Sequence, residues 1–314
     1  MARGKGALAG VAAAVALLGT AAAAPLDPAA TPGRLHVAAA VEVGGTPSGL
    51  AAAAGAVWVA TGRGGIARID PATDGVALRL RPGGAVIALA AGFGDLWAID
   101  AVGDRLLRID PRRNRVLASL PVGRLPTGVA VGHGRVWVVS QVDSTVVGID
   151  PRTSRVAASA RFAYGELWPR GLAAAGDGVW LITGRGTEVT RLNGRTGAVE
   201  RRVAIEAART LAAVGRSIWV GRAGDRPLVR ITGREVVAVG FAPRHGADGR
   251  GPALAAGESV WVADGNRLTA YSADGEPVLN RPLPTSGRVG ALAVAGDVWV
   301  ADEAAGTILR VRVR

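Results

Sequence analysis

Apolar and polar positions alternate in short runs along most of the chain, and the runs recur with a period of about 40 residues. Each unit is centred on a tryptophan flanked by aliphatic residues, at positions 58, 97, 137, 180, 219, 261 and 299. Alternation with a period of two over so few residues predicts half-buried β-strands, not helices. In the best-formed unit, residues 125–162, Pro126-Thr127-Gly128 opens a small apolar strand, Val129-Ala130-Val131, and Gly132-His133-Gly134-Arg135 turns the chain. Val136 to Ser140 then forms a second strand and Thr145 to Ile149 a third. Asp150-Pro151-Arg152-Thr153 follows as a type I turn, because proline presets φ and the aspartate side chain bonds the backbone ahead. The same turn recurs as Asp70-Pro71 and Asp110-Pro111, and softens to Asn193-Gly194 and Asp274-Gly275. Residues 156–162 supply a fourth strand.

Four antiparallel strands per unit, repeated seven times, predict an all-β, seven-bladed β-propeller. The ends of the chain support a closed ring. After Trp299 only one more strand fits, residues 307–313, so the last unit is one strand short. Residues 35–43 read as a spare outer strand ahead of the first Pro47-Ser48-Gly49 opening, and pairing the two would complete the seventh blade and remove an exposed edge.

Composition agrees with many short strands and tight turns, with 46 glycines, 17 prolines and 49% hydrophobic residues. The chain has no cysteine, which excludes disulfides, thiolate metal sites, thiol nucleophiles and a lipidated N-terminal cysteine. Its net charge is +12, and every basic residue except Lys5 is arginine. Because the arginines are dispersed along the sequence, a bias in composition explains them more simply than a polyanion-binding segment, and no nucleic-acid partner is expected. Arg3 and Lys5, the uncharged run 6–18 and Ala21-Ala22-Ala23-Ala24 have the order of a secretory signal peptide. The expected division is a signal peptide over 1–23, a linker over 24–33 and the propeller over 34–314, in a secreted or periplasmic monomer with no membrane span after cleavage. Retention of the segment as an anchor is the alternative.

A family resemblance rests on Val122-Gly123, Pro126-Thr127-Gly128-Val129-Ala130, Val136-Trp137-Val138, Thr145-Val146-Val147 and Ile149-Asp150-Pro151-Arg152-Thr153. These residues resemble the YVTN-type propeller repeat, with tryptophan where that motif often has tyrosine, and are similar to the repeats of NHL-type and virginiamycin B lyase-like propellers. The resemblance covers residues 35–314. It implies the fold and leaves two functions open, since such repeats are shared by binders, sensors and enzymes. One is a non-catalytic propeller binding a small molecule, a glycan or a protein on its rim, without a cofactor. The other is a metal-dependent lyase or lactonase, in which a carboxylate-bound Mg or Ca polarises an ester and a histidine acts as base. The Trp-Phe-Thr-Glu strands typical of that lyase are absent here.

Propeller geometry sorts the candidate residues by rim. The position three after each tryptophan reads Thr61, Asp100, Ser140, Thr183, Arg222, Asp264 and Asp302. Asp264 and Asp302 fall on neighbouring blades and are the candidate cation ligands; the alternative is that each satisfies its own loop. Of the three histidines, His36 and His133 fall away from this rim, which leaves His245 as the candidate base or ligand contact. The least repetitive loop, residues 162–170, offers Phe162, Tyr164 and Trp168 for stacking and Arg170 for a carboxylate. A second irregular loop, 243–252, carries Arg244, His245, Asp248 and Arg250. The seven blade tryptophans are expected in the core, which argues against a quinone cofactor.

Overall fold

The computed structural model describes residues 34–168, 171–176, 178–224, 228–239 and 252–313. These form seven four-stranded antiparallel sheets arranged as the blades of a propeller. Six blades run inside to outside in chain order, from Gly49–Ala53, Ala56–Ala60, Ile66–Asp70 and Gly75–Leu80 in blade one to Ala253–Ala256, Val260–Asp264, Arg267–Tyr271 and Pro277–Pro282 in blade six. In blade seven the outermost strand comes from the other end of the sequence. Leu35–Glu42 pairs antiparallel with Thr307–Val313, from Leu35 opposite Val313 to Glu42 opposite Thr307.

The tryptophans explain why the units pack as blades. Six of the seven rings are fully buried, each in an apolar cluster between adjacent sheets. Trp261 is only half-buried. In blades one to three the indole Nε1 donates to the carbonyl five residues earlier, at Ala53, Gly92 and Gly132, over 3.2, 3.2 and 3.3 Å. Burying the large ring therefore leaves no orphaned donor there.

Arginines stack beside the tryptophans, and some of them reach the next blade. Arg68, Arg108 and Arg310 pair in register with Trp58, Trp97 and Trp299, and their guanidinium groups lie 5.3 to 6.0 Å from the ring centroids. Arg310 reaches across the ring closure to the Pro71 carbonyl at 2.5 Å and Asp74 at 2.8 Å, while its Nε binds Asp297 at 2.5 Å. In blade three the partner position is Gly148, where a Cβ would strike both Trp137 and Arg135. Arg135 takes over the latch by donating to Gly194 in blade four. Part of the arginine content is thus structural.

The third-to-fourth strand turns close as their residue types require. Asp70, Asp110, Asp150 and Asn193 each accept from the backbone N–H two residues ahead, at 2.7 to 2.9 Å. In the first turns of blades one to three, Ala54, Phe93 and His133 have positive φ, each followed by a glycine with positive φ. Two such residues in sequence match the twist of a tight hairpin.

Candidate functional site

The loops that lead into each innermost strand and out of each second strand share the upper rim. The innermost strands run down from there along the central axis, where two connected cavities lie. The upper cavity holds about 220 Å³ and includes Ser48, Ile87, Thr127 and Thr210 near its mouth. A lower one of about 410 Å³ is lined by Ala51, Ala90, Ala173, Ala212, Ala255 and Ala293 with their neighbours.

Leu50, Leu89, Leu211, Leu254 and Leu292 line both cavities, with Val129 and Leu172 at the upper one. These seven residues occupy one position of the repeat, seven or eight residues before the blade tryptophan. Together they form an apolar collar across the axis. None of the side chains lining either cavity is titratable. A small apolar centre is expected from the sequence and the collar is not, although aligning the seven units on their tryptophans brings its residues into one column.

The polar residues that end the second strands are bound to nearby backbone and side chains. Asp100 is fully buried and accepts from the amides of Ala85 at 2.8 Å and Gly103 at 3.0 Å and from Arg105 Nε at 2.8 Å. Burial alone would raise its pKa, but these donors outweigh it and hold the carboxyl below its usual range. Asp302, also buried, accepts from the Ser286 amide at 2.6 Å, the Ser286 hydroxyl and the Ala305 amide at 3.2 Å. Ser140 Oγ donates to the Val122 carbonyl at 2.7 Å, Thr61 Oγ1 to Gly65 at 3.1 Å, and Arg222 Nε to the Glu206 carbonyl at 2.8 Å. Thr183 pairs with Thr190 at 2.7 Å. Asp264 is half-buried and opposite Arg267 in register. Among the described residues no three His, Cys, Asp or Glu side chains converge as a metal site.

The loop from Phe162 to Trp168 places its three rings in different settings. Phe162 is buried, with Arg202 over the ring at 5.9 Å. Trp168 packs on the cluster between blades four and five, beneath Arg209 at 4.3 Å from the ring centroid. Tyr164 is 82% exposed. Arg202 also bridges Glu166 and Glu188. Burial opposes the ionised form of Glu166, yet Arg202 and the Ala163 amide hold its pKa low. Arg209 directly precedes Thr210, which lines the upper cavity, so the Trp168–Arg209 stack stands beside its mouth. The other expected site residues, Arg170 and His245, and with them Arg244, Asp248 and Arg250, lie outside the described residues. His133 is on the lower rim, where its Nε2 lies 2.5 Å from the Ala175 carbonyl and 3.0 Å from that of Gly178 in blade four.

No known family pattern and no curated protein matches the chain. Solved structures do match in shape. A streptogramin B lyase structure aligns with a TM-score of 0.75 at 14% identity, covering 90% of this chain and 98% of that one. A catalytically inactive histidine-to-alanine variant of virginiamycin B lyase from Staphylococcus aureus, with quinupristin, aligns with a TM-score of 0.71 at 14% identity, covering 89% and 99%. The Kuenenia stuttgartiensis hydrazine synthase aligns with a TM-score of 0.70, also at 14% identity, covering 86% and 95%. Identity this low establishes the shared seven-bladed fold and leaves function to the residues of the rim.

Proposed function

We propose that this chain is a secreted, non-catalytic β-propeller that binds a ligand or protein partner on its upper loop rim. The observation that carries the reading is the division of labour at that rim. The carboxylates of Asp100 and Asp302 are engaged by donors of their own blades, whereas the central mouth offers aliphatic walls beside the Trp168–Arg209 stack. A concave, mostly apolar site with few polar groups suits recognition of a ligand's shape. Export rests on the order of charge and apolarity in residues 1–24.

A second reading, a metal-dependent lyase, is favoured by the overlay on streptogramin B lyase. It requires Asp264 and Asp302 to hold Mg or Ca and His245 to act as base. Asp302 would then have to release the Ser286 and Ala305 donors, so the donor set as folded does not fit a cation. Incubating the full chain with quinupristin and either cation, and following the lactone by mass spectrometry, separates the readings. The binding reading expects no conversion. It also expects any rim ligand found by thermal shift to keep its effect in a chelator and lose it in a Tyr164→Ala, Trp168→Ala double variant. Cation-dependent opening of quinupristin that stops in Asp302→Asn overturns it.

A further inference from the structure

Arginines that are scattered in sequence collect on the rim opposite the proposed ligand site. The turn between the third and fourth strands carries an arginine at one equivalent position in four consecutive blades, Arg112, Arg152, Arg195 and Arg234 in blades two to five. All four are exposed. In the first three, the Asx bond to the arginine's own N–H fixes the backbone, so each side chain projects from a rigid turn. Among the described residues none of the four makes a side-chain hydrogen bond or ion pair. Arg115 and Arg155, exposed at the start of the fourth strands, extend the same edge. The position is Ala72 in blade one and Asp274 in blade six, where the run of positive charge ends. Acidic residues along the arc are largely engaged. Asp110 and Asp150 hold turn amides, Glu200 binds Arg191 and Asn193, and Glu235 is exposed.

We infer that this lower rim is a docking surface for an anionic lipid bilayer. Guanidinium groups spread along the end of a cylinder match a plane of phosphate head groups, and each cation near such a surface adds to affinity until salt screens it. A further feature favours a bilayer over a nucleic acid. Phe93, at the tip of the first turn in blade two, is 48% exposed on this rim and offers a ring to the interface.

The test is co-sedimentation of the full chain with vesicles of phosphatidylcholine alone and of equal parts phosphatidylcholine and phosphatidylglycerol. Apolar contacts such as that of Phe93 are common to both compositions, so the preference for the anionic vesicles isolates the arginines. At low ionic strength that preference is expected to reach about tenfold or more, and to shrink as salt is added. The variant Arg112→Gln, Arg152→Gln, Arg195→Gln, Arg234→Gln loses most of it. An upper-rim variant of equal charge change, Arg63→Gln, Arg81→Gln, Arg124→Gln, Arg161→Gln, keeps it. Unchanged thermal unfolding of both variants ties the readout to the surface. No preference for anionic vesicles, an equal loss in the two variants, or binding to duplex DNA without binding to vesicles each overturns the inference.

Discussion

Blades one to three and blades five and six are built from the same repeat, yet they differ in how the polar atoms of the central aromatic residues are satisfied. In the first group every indole N–H reaches the carbonyl at the start of a turn in which a non-glycine residue precedes glycine. In blade five the order is reversed, Gly215 before Arg216, and Trp219 Nε1 has no partner. Its neighbour across the sheets, Tyr271, stands where blades one to three have isoleucine. The phenol is fully buried and its hydroxyl is also unpaired, with the two rings 5.8 Å apart. Blade six departs further, since Trp261 is half-buried. The regular blades are a scaffold in which turn chemistry and core packing agree, and the less regular side, which adjoins the Trp168–Arg209 stack, tolerates conflict. Local inconsistency of this kind gathers where stability is not the only demand.

The sharpest way to break that contrast is to remove the central ring from each side. Trp137→Ala deletes a fully buried side chain and its hydrogen bond, and is expected to cost about 4 kcal/mol. Trp261→Ala removes a half-buried ring, with an expected cost of about 2 kcal/mol. Urea unfolding of both variants measures the difference. Equal losses would show that the second group of blades is as tightly built as the first.

A smaller effect distinguishes the loop clamps. Asp100 has its pKa depressed in the folded state, because the Ala85 and Gly103 amides and Arg105 overcome the cost of burial. Its contribution to stability is therefore complete above the unfolded aspartate value of about 3.9 and is lost as pH falls through the lower folded value. Asp100→Asn is expected to cost about 2 kcal/mol at neutral pH and to lessen the loss of stability in acid. Thr183→Val, at the same place in blade four, should give a loss that does not vary with pH across this window. Thermal unfolding between neutral and strongly acidic pH compares them.

Much of the architecture was legible in the sequence because blade packing is local and periodic. The tryptophan spacing, the Asp-Pro turns and the glycine turns each reflect contacts within one unit, and each copy reinforces the others. The features that the sequence does not display act between units. The Arg310 latch joins residues 236 apart, and the collar of Leu50, Leu89, Val129 and their counterparts exists only once the ring closes. The charged arc was hidden in the same way, since dispersal along the chain becomes alignment when each arginine occupies the same turn. In the candidate site the sequence located the unusual loop, but it could not separate the exposed Tyr164 from Phe162, buried beneath Arg202, or from Trp168, stacked under Arg209.

The finest test compares two hydroxyls, one on each side of the contrast. Ser140 Oγ in blade three is buried and donates to the Val122 carbonyl at 2.7 Å. Ser140→Ala leaves that carbonyl without its donor, and about 1 kcal/mol of stability should be lost. Tyr271 is buried with no partner for its oxygen, so Tyr271→Phe removes a desolvated group without breaking a bond, and the protein should gain up to about 1 kcal/mol. Alkaline pH provides an independent readout. Burial raises the Tyr271 pKa, so above the ordinary tyrosine value of about 10 the unfolded chain releases a proton that the folded chain retains, and stability falls. The Phe variant lacks that loss. In a spectroscopic titration the phenolate of Tyr271 should appear only with unfolding. If Tyr271→Phe destabilises as Ser140→Ala does, the phenol is engaged in the folded protein and the conflict at the centre of blade six disappears.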